Sequence, residues 1–295
     1  MDKNYKEFVE EVAETLPDHM PAGVWEISTI QVDKLQGESY YGIAVKSGAA
    51  LGLSMNLEQQ FRAWEDGESM ESVLRSIAEL ASQSLDNAPA DIGNLADYQA
   101  MKEKLIMQVI SPVGNENMLE TVPHKKLADL AVVYRVALSE RATVLVTHAI
   151  LKKWGISAAQ LIADAEVFAP IHHPAGIIPL RLVLLELMGL PADSDALPAD
   201  RDELLVASCN DDYYGAGCIA YPGFLELVEE TLAGGYYILP VSVHEVLLVP
   251  DAAGLTPENL KTMVADINAT EVAAEDRLSN SVYHYDKQHH LQIAG

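Results

Sequence analysis

The chain has 295 residues, 49% of them apolar, with 19 lysines and arginines set against 44 aspartates and glutamates. That length and apolar content suffice for one large or two ordinary packed domains, so a folded rather than a disordered chain is the default reading. The formal charge of −25 argues against attraction to nucleic-acid phosphates or to an anionic membrane surface, and leaves a basic protein as the natural electrostatic partner.

Tyr5, Phe8, Val9, Val12 and Leu16 recur at helical spacing and predict a first helix, closed by Pro17 and Pro21. Its charged, amphipathic sequence has no apolar core of the kind a secretory signal carries. Residues 24–32 and 40–45 predict strands around a turn, with a third strand through Leu51 to Met55. A helical segment follows from Asn56 and stops at Gly67. Ser69 is placed to cap the next helix, whose stripe is Met70, Val73, Leu74, Ile77, Leu80 and Ala81. Residues 86–94 form a polar connector.

Residues 104–110 predict a strand. From Leu127, two strands flank a Ser-Glu-Arg turn, and their unbroken apolar pattern marks strands covered on both faces. Residues 156–168 predict a helix with Ser157 as cap and Pro170 as its end, and a short helix follows Pro179. The longest apolar run, 177–190, contains Arg181 and Glu186 and is too short to span a bilayer. Residues 190–202 are acidic and proline-bearing. They suggest a division into an N-terminal α+β region (1–190) and a C-terminal subdomain (203–295), with one domain as the alternative.

Beyond that segment, Cys209 and Cys218 flank NDDYYGAG, which predicts a hairpin tip spanning Asn210 to Gly217. A helix with Thr256 as cap and Pro257 as first residue carries Leu260, Met263, Val264 and Ile267 on one face. Residues 281–285 and 291–293 predict short strands paired through the DKQHH turn. Three ββα units can be laid out, at Leu127 to Phe168, Leu204 to Ala233 and Tyr236 to Asn268. The expected class is α+β with mainly antiparallel sheets built from these units, because short turns join several neighbouring strands.

The chemistry-bearing residues do not assemble into a familiar motif. Two cysteines make neither a disulfide framework nor a zinc set, and two small buried side chains is the reading taken. Asp211 and Asp212 offer paired carboxylates, but beside a glycine they serve as turn formers. Ser242 and His244 would share one face of a strand with Glu245 on the other, a poor geometry for a nucleophile and its base. His284, Asp286, His289 and His290 are metal-capable but crowd a turn, so no metal site is assigned. Phosphate-loop, dinucleotide, zinc-protease, nucleophile-elbow and C-x-x-C signatures are missing.

LADLAVVYRVAL, ATVLVTHAIL, YYGAGCIAYPG, YYILPVSVHEVLLVPD and LSNSVYHYD together resemble an uncharacterised bacterial domain family of unknown function, from Gram-positive anaerobes and often near mobile elements. PVSVHEVLLVPD is also similar to the V-P-H-Q-D-V-L-I-I-A-D segment of the YtpQ-like proteins. The resemblance spans roughly Leu127 to Asp286 and implies a bacterial, cytoplasmic α+β protein. It implies no reaction, cofactor or catalytic residue.

The sequence therefore points to a non-enzymatic, acidic interaction or regulatory protein. It binds another, basic protein rather than nucleic acid or membrane, and needs no cofactor. A sharper version is a mobile-element-encoded inhibitor of a basic nucleic-acid-handling defence protein. The candidate interaction residues are Asp211, Asp212, Tyr213, Tyr214, His244 and Glu245. The alternative is an enzyme of unrecognised type with a carboxylate and histidine site around Asp211, Asp212 and His244.

Overall fold

The computed structural model describes residues 4–33, 39–47, 51–86, 94–139, 142–197, 204–209 and 214–294. The chain divides into two compact units, Met1–Gly93 and Asn94–Gly295.

The first unit packs helices on a three-stranded meander. Helix α1 (Tyr5–Thr15) starts with a capping box, in which Asn4 accepts from the Glu7 N–H and the Glu7 carboxylate accepts from the Asn4 N–H. Strands β1 (Trp25–Asp33), β2 (Ser39–Ser47) and β3 (Leu51–Asn56) pair antiparallel with β2 in the centre. Helices α2 (Glu58–Glu65) and α3 (Met70–Asp86) follow. Phe8, Val9 and Val12 of α1 meet Ile43 and Val45 of β2 and Val73, Ile77 and Ala81 of α3 in one core. The helical stripes and the strand alternation were both legible, because each is a local periodicity.

Among its described residues the second unit forms two sheets. After α4 (Tyr98–Met101) come β4 (Leu105–Ile110), α5 (Glu116–Leu119), β5 (His124–Leu127), β6 (Leu130–Ser139) and β7 (Ala142–Leu145). Strand β6 is the spine of this sheet: β4 pairs along one side, while β5 and β7 take successive halves of the other. Strand β6 is buried over most of its length, as its unbroken apolar pattern predicts, whereas β7, read the same way, is only half-buried; all six residues of β4 are buried. Helices α6 (His148–Trp154) and α7 (Ala158–His172) follow. Ser157 caps α7 as expected, accepting from the Gln160 N–H at 3.1 Å. Pro170 does not end that helix but sits inside its last turn. Two residues from the end, the missing N–H forfeits a single bond, and the His173 N–H still reaches the Ala169 carbonyl at 2.8 Å.

The second sheet holds β8 (Ala175–Pro179), β9 (Leu205–Cys209), β10 (Tyr236–Leu239), β11 (Val246–Pro250), β12 (Tyr283–Tyr285) and β13 (Gln292–Ile293), in the order β13-β12-β10-β11-β9-β8. Helices α8 (Leu180–Leu187), α9 (Phe224–Leu232) and α10 (Pro257–Thr270) lie between its strands in sequence. Thr256 caps α10 in a capping box with Asn259. Strands β8 and β9 stand on either side of the acidic 191–202 segment in sequence and pair from Ala175↔Cys209 to Pro179↔Leu205. Arg181 of α8 donates to the carbonyls of Ala192, Ser194 and Leu197 in that segment. Strand pairing among the described residues is antiparallel, and the protein is α+β.

Two expectations change here. Tyr236 to Asn268 is a ββα unit, β10-β11-α10, but in Leu204 to Ala233 the place of the second strand is taken by a 3₁₀ turn, Gly215–Ala220. Strand β9 therefore pairs with β8 and β11, not with a hairpin partner carrying Cys218. The run from Pro240 to Pro250 is likewise not one strand. It turns through residues 240–245, and β11 begins only at Val246, after a proline that has no N–H to donate to a ladder.

The glycines explain the 3₁₀ turn. A Cβ on Gly217 would lie 1.9 Å from the Met107 carbonyl oxygen, and one on Gly215 would lie 2.0 Å from Ser208 Oγ and 2.2 Å from the His244 carbonyl oxygen. GAG is thus a wedge driven between β4, β9 and the 240–245 turn, where only residues without side chains let backbone approach backbone.

Candidate functional site

The wedge carries Tyr214 at its head, and the residues gathered beneath it come from β4, β6 and β7. Gln108 is paired diagonally to Arg135 across β4 and β6, and Thr143 diagonally to Arg135 across β6 and β7, so all three share one face of the sheet. Arg135 Nε donates to Thr143 Oγ1 at 2.7 Å, and Nη1 donates to Gln108 Oε1 at 3.4 Å. The Tyr214 ring covers the guanidinium with its centroid 4.9 Å from Cζ, a cation–π contact. Tyr214 holds a left-handed backbone, φ 56°, an uncommon conformation for a tyrosine. The 3₁₀ turn that follows imposes it.

His244 completes the stack. Its ring lies nearly parallel to that of Tyr214, 12° apart with centroids at 6.4 Å, and its Nε2 is 3.3 Å from Asp276 Oδ1. Both side chains of that pair are 38% exposed. The turn holding His244 is built by Ser242, whose Oγ accepts from the N–H groups of His244 (3.1 Å) and Glu245 (3.2 Å). Ser208 Oγ donates to the His244 carbonyl at 2.8 Å. Ser242 therefore acts as a turn former.

The electrostatics centre on Arg135. Burial pushes its pKa below the usual arginine value, and the nearby Tyr214 hydroxyl opposes that shift. Gln108 is wholly buried, and among the described residues its Nε2 has no hydrogen-bond partner. An unmet buried donor of this kind costs about 1–3 kcal/mol.

Of the residues singled out in the sequence, Tyr214 and His244 come together, and Glu245 joins through its backbone. Asp211, Asp212 and Tyr213 lie outside the described residues. Arg135 and Gln108 were missed, although a signal existed: a cation in the middle of an unbroken apolar strand is rarely idle.

Cys209 and Cys218 are both free and buried. Cys209 Sγ contacts the Tyr221 hydroxyl at 3.2 Å, and its hydrogen bond with Cys218, together with burial, pushes the Cys218 thiol well up. His284 Nε2 lies 3.0 Å from Asp251 Oδ1, and Asp286 Oδ2 lies 2.8 Å from His289 Nδ1. Among the described residues no group of three or more such side chains could hold a metal ion, and no helix is long and apolar enough to cross a membrane.

No curated protein and no solved structure matches this chain. A family model described as a family of unknown function (DUF5688) matches residues 5–287. The match reaches well beyond the stretch that carried the resemblance in sequence, and the chain belongs to that family.

Proposed function

We propose that the chain is a non-enzymatic, acidic binding or regulatory protein of the cytoplasm whose partner is a basic protein. The observation that carries this reading is the formal charge of −25, with 44 carboxylates against 19 cations. Several of those few cations are engaged within the fold: Lys125 with Glu166, Lys287 with Glu230, Arg75 with Glu71, and Arg181 with three carbonyls. The field outside is negative, which speeds and selects encounter with a basic surface. The sharper version is an inhibitor, carried on a bacterial mobile element, that fills the phosphate-binding groove of a nucleic-acid-handling defence protein. The residues proposed for its contact are Asp211, Asp212, Tyr213, Tyr214, His244 and Glu245.

The test is capture by immobilised protein from host lysate in steps from low salt to about 0.5 M, where screening is strong. A basic protein that is retained at low salt, released at high salt and displaced by added duplex DNA supports the reading. An absence of any retained basic protein at low salt sinks it.

One observation favours a second reading, an enzyme with a carboxylate and histidine site around Asp211, Asp212 and His244. Asp276 lies within reach of a half-exposed His244 imidazole, the arrangement that orients a general base. Turnover of chromogenic ester, phosphodiester or glycoside substrates that disappears in His244→Gln would support it. Turnover that is absent in both proteins, or equal in both, removes it.

A further inference from the structure

We propose that Arg135, Gln108 and Tyr214 form a binding site for a small oxoanion, the carboxylate or phosphate group of a low-molecular-weight ligand. The inference goes beyond the basic-partner reading and does not depend on it.

A guanidinium carries five N–H donors, and two are used here, one toward Thr143 and one toward Gln108. Three remain: one on Nη1 and both on Nη2. Among the described residues Arg135 makes no ion pair, and its positive charge is met only by neutral acceptors and an aromatic face. Arg135 is half-buried, so its charge is partly withdrawn from water while its edge stays reachable, and such a cation without an acidic partner among the described residues is a place where an anion fits. Gln108 gives an independent sign. It is 0% exposed, its carboxamide touches the guanidinium, and its Nε2 donor has no partner among the described residues.

The geometry selects the ligand class. Arg135 Cζ lies over the Tyr214 ring, and the N–H groups left on Nη1 and Nη2 are donors of the kind that hold carboxylate and phosphate. The unused groups of Arg135 and Gln108 are all donors. A ligand that offers acceptors and negative charge satisfies both their hydrogen bonds and the charge of Arg135, whereas a cation satisfies neither. Tyr214 is fixed by the glycine wedge, so the roof is formed before the ligand arrives.

The experiment measures thermal unfolding of the full chain with inorganic phosphate or acetate, against chloride at matched ionic strength. Arg135 Nε–H resonances are followed in parallel. The expected result is a saturable rise in Tm with at least one oxoanion. At ten times the dissociation constant the rise is about 4 °C for a unit of this size. A shift of the Arg135 Nε–H signal accompanies it, and both are lost in Arg135→Gln. Tyr214→Ala, which removes the roof and its stacking on His244, weakens binding at least several-fold and stands in if Arg135→Gln does not fold. A response to acetate alone assigns a carboxylate ligand, and one to phosphate alone assigns a phosphate monoester. No response beyond chloride, or a response that Tyr214→Ala or Arg135→Gln leaves unchanged, overturns the proposal. A response that emerges only in the double variant Asp211→Asn, Asp212→Asn also overturns it, since the chain's own carboxylates would then occupy the position.

Discussion

Replacing Gly217 with alanine tests the glycine wedge directly. The added Cβ would lie 1.9 Å from the Met107 carbonyl oxygen and 3.0 Å from the Met107 carbonyl carbon, where ordinary contact begins at 3.4 Å. The shortfall is about 1.5 Å, and the obstructing atoms are backbone, so no rotamer relieves it. Strand β4 cannot retreat easily, because Met107 is paired to Tyr134 and every residue of the strand is buried. Overpacked cores lose typically 1–3 kcal/mol, and a backbone clash belongs at the top of that range, about 3 kcal/mol. For a unit of this size that lowers Tm by about 6–12 °C. The assay is urea and thermal unfolding followed by circular dichroism, with Gly234→Ala as the control. Gly234 is exposed, has nothing within 4 Å of its added Cβ, and should change stability by less than about 0.5 kcal/mol. A Gly217→Ala protein within about 1 kcal/mol of the parent would refute the close approach and the account of the 3₁₀ turn built on it.

Three further outcomes are expected. Thr256→Ala removes the cap of α10 and its reciprocal bond with Asn259, and should cost about 1 kcal/mol in urea unfolding, while Thr256→Ser should be near neutral. Arg181→Ala releases the carbonyls of Ala192, Ser194 and Leu197, so limited proteolysis should cut within 191–197 several-fold faster without a matching fall in global Tm. The Asp286 carboxyl is held down to about 2, chiefly by the hydrogen bond from His289, against an ordinary 3.8. A depressed folded-state pKa gives stability that is present above pH about 4 and is lost as pH falls toward 2. Carboxyl NMR should place the midpoint near 2, and His289→Ala should raise it toward 3.8 without reaching it, because the N–H groups of residues 288 and 289 still donate to the carboxylate.

The sequence by itself determined the features whose physics is local. Capping by Ser157 and Thr256 needs only a side chain within three residues of an unmet N–H, and both caps form as read. The stripes of α1 and α3 and the β1–β2–β3 meander follow from periodicity and short turns. The covered strand β6 announces itself by its apolar run, and the α+β class follows from these parts. Tertiary structure decided the rest, because those choices depend on what arrives from far along the chain. Pairing of β8 with β9 spans the acidic segment and cannot be seen in either strand alone. YYGAGC has the composition of a hairpin turn, and only the approach of Met107 and His244 reveals its glycines as spacers for a 3₁₀ wedge. Arg135 is an oddity in an apolar strand until Gln108, Thr143 and Tyr214 close around it from three other segments. Periodicity reports which face of an element is buried, whereas a site is a coincidence of faces, and that is set by the packing of the whole unit.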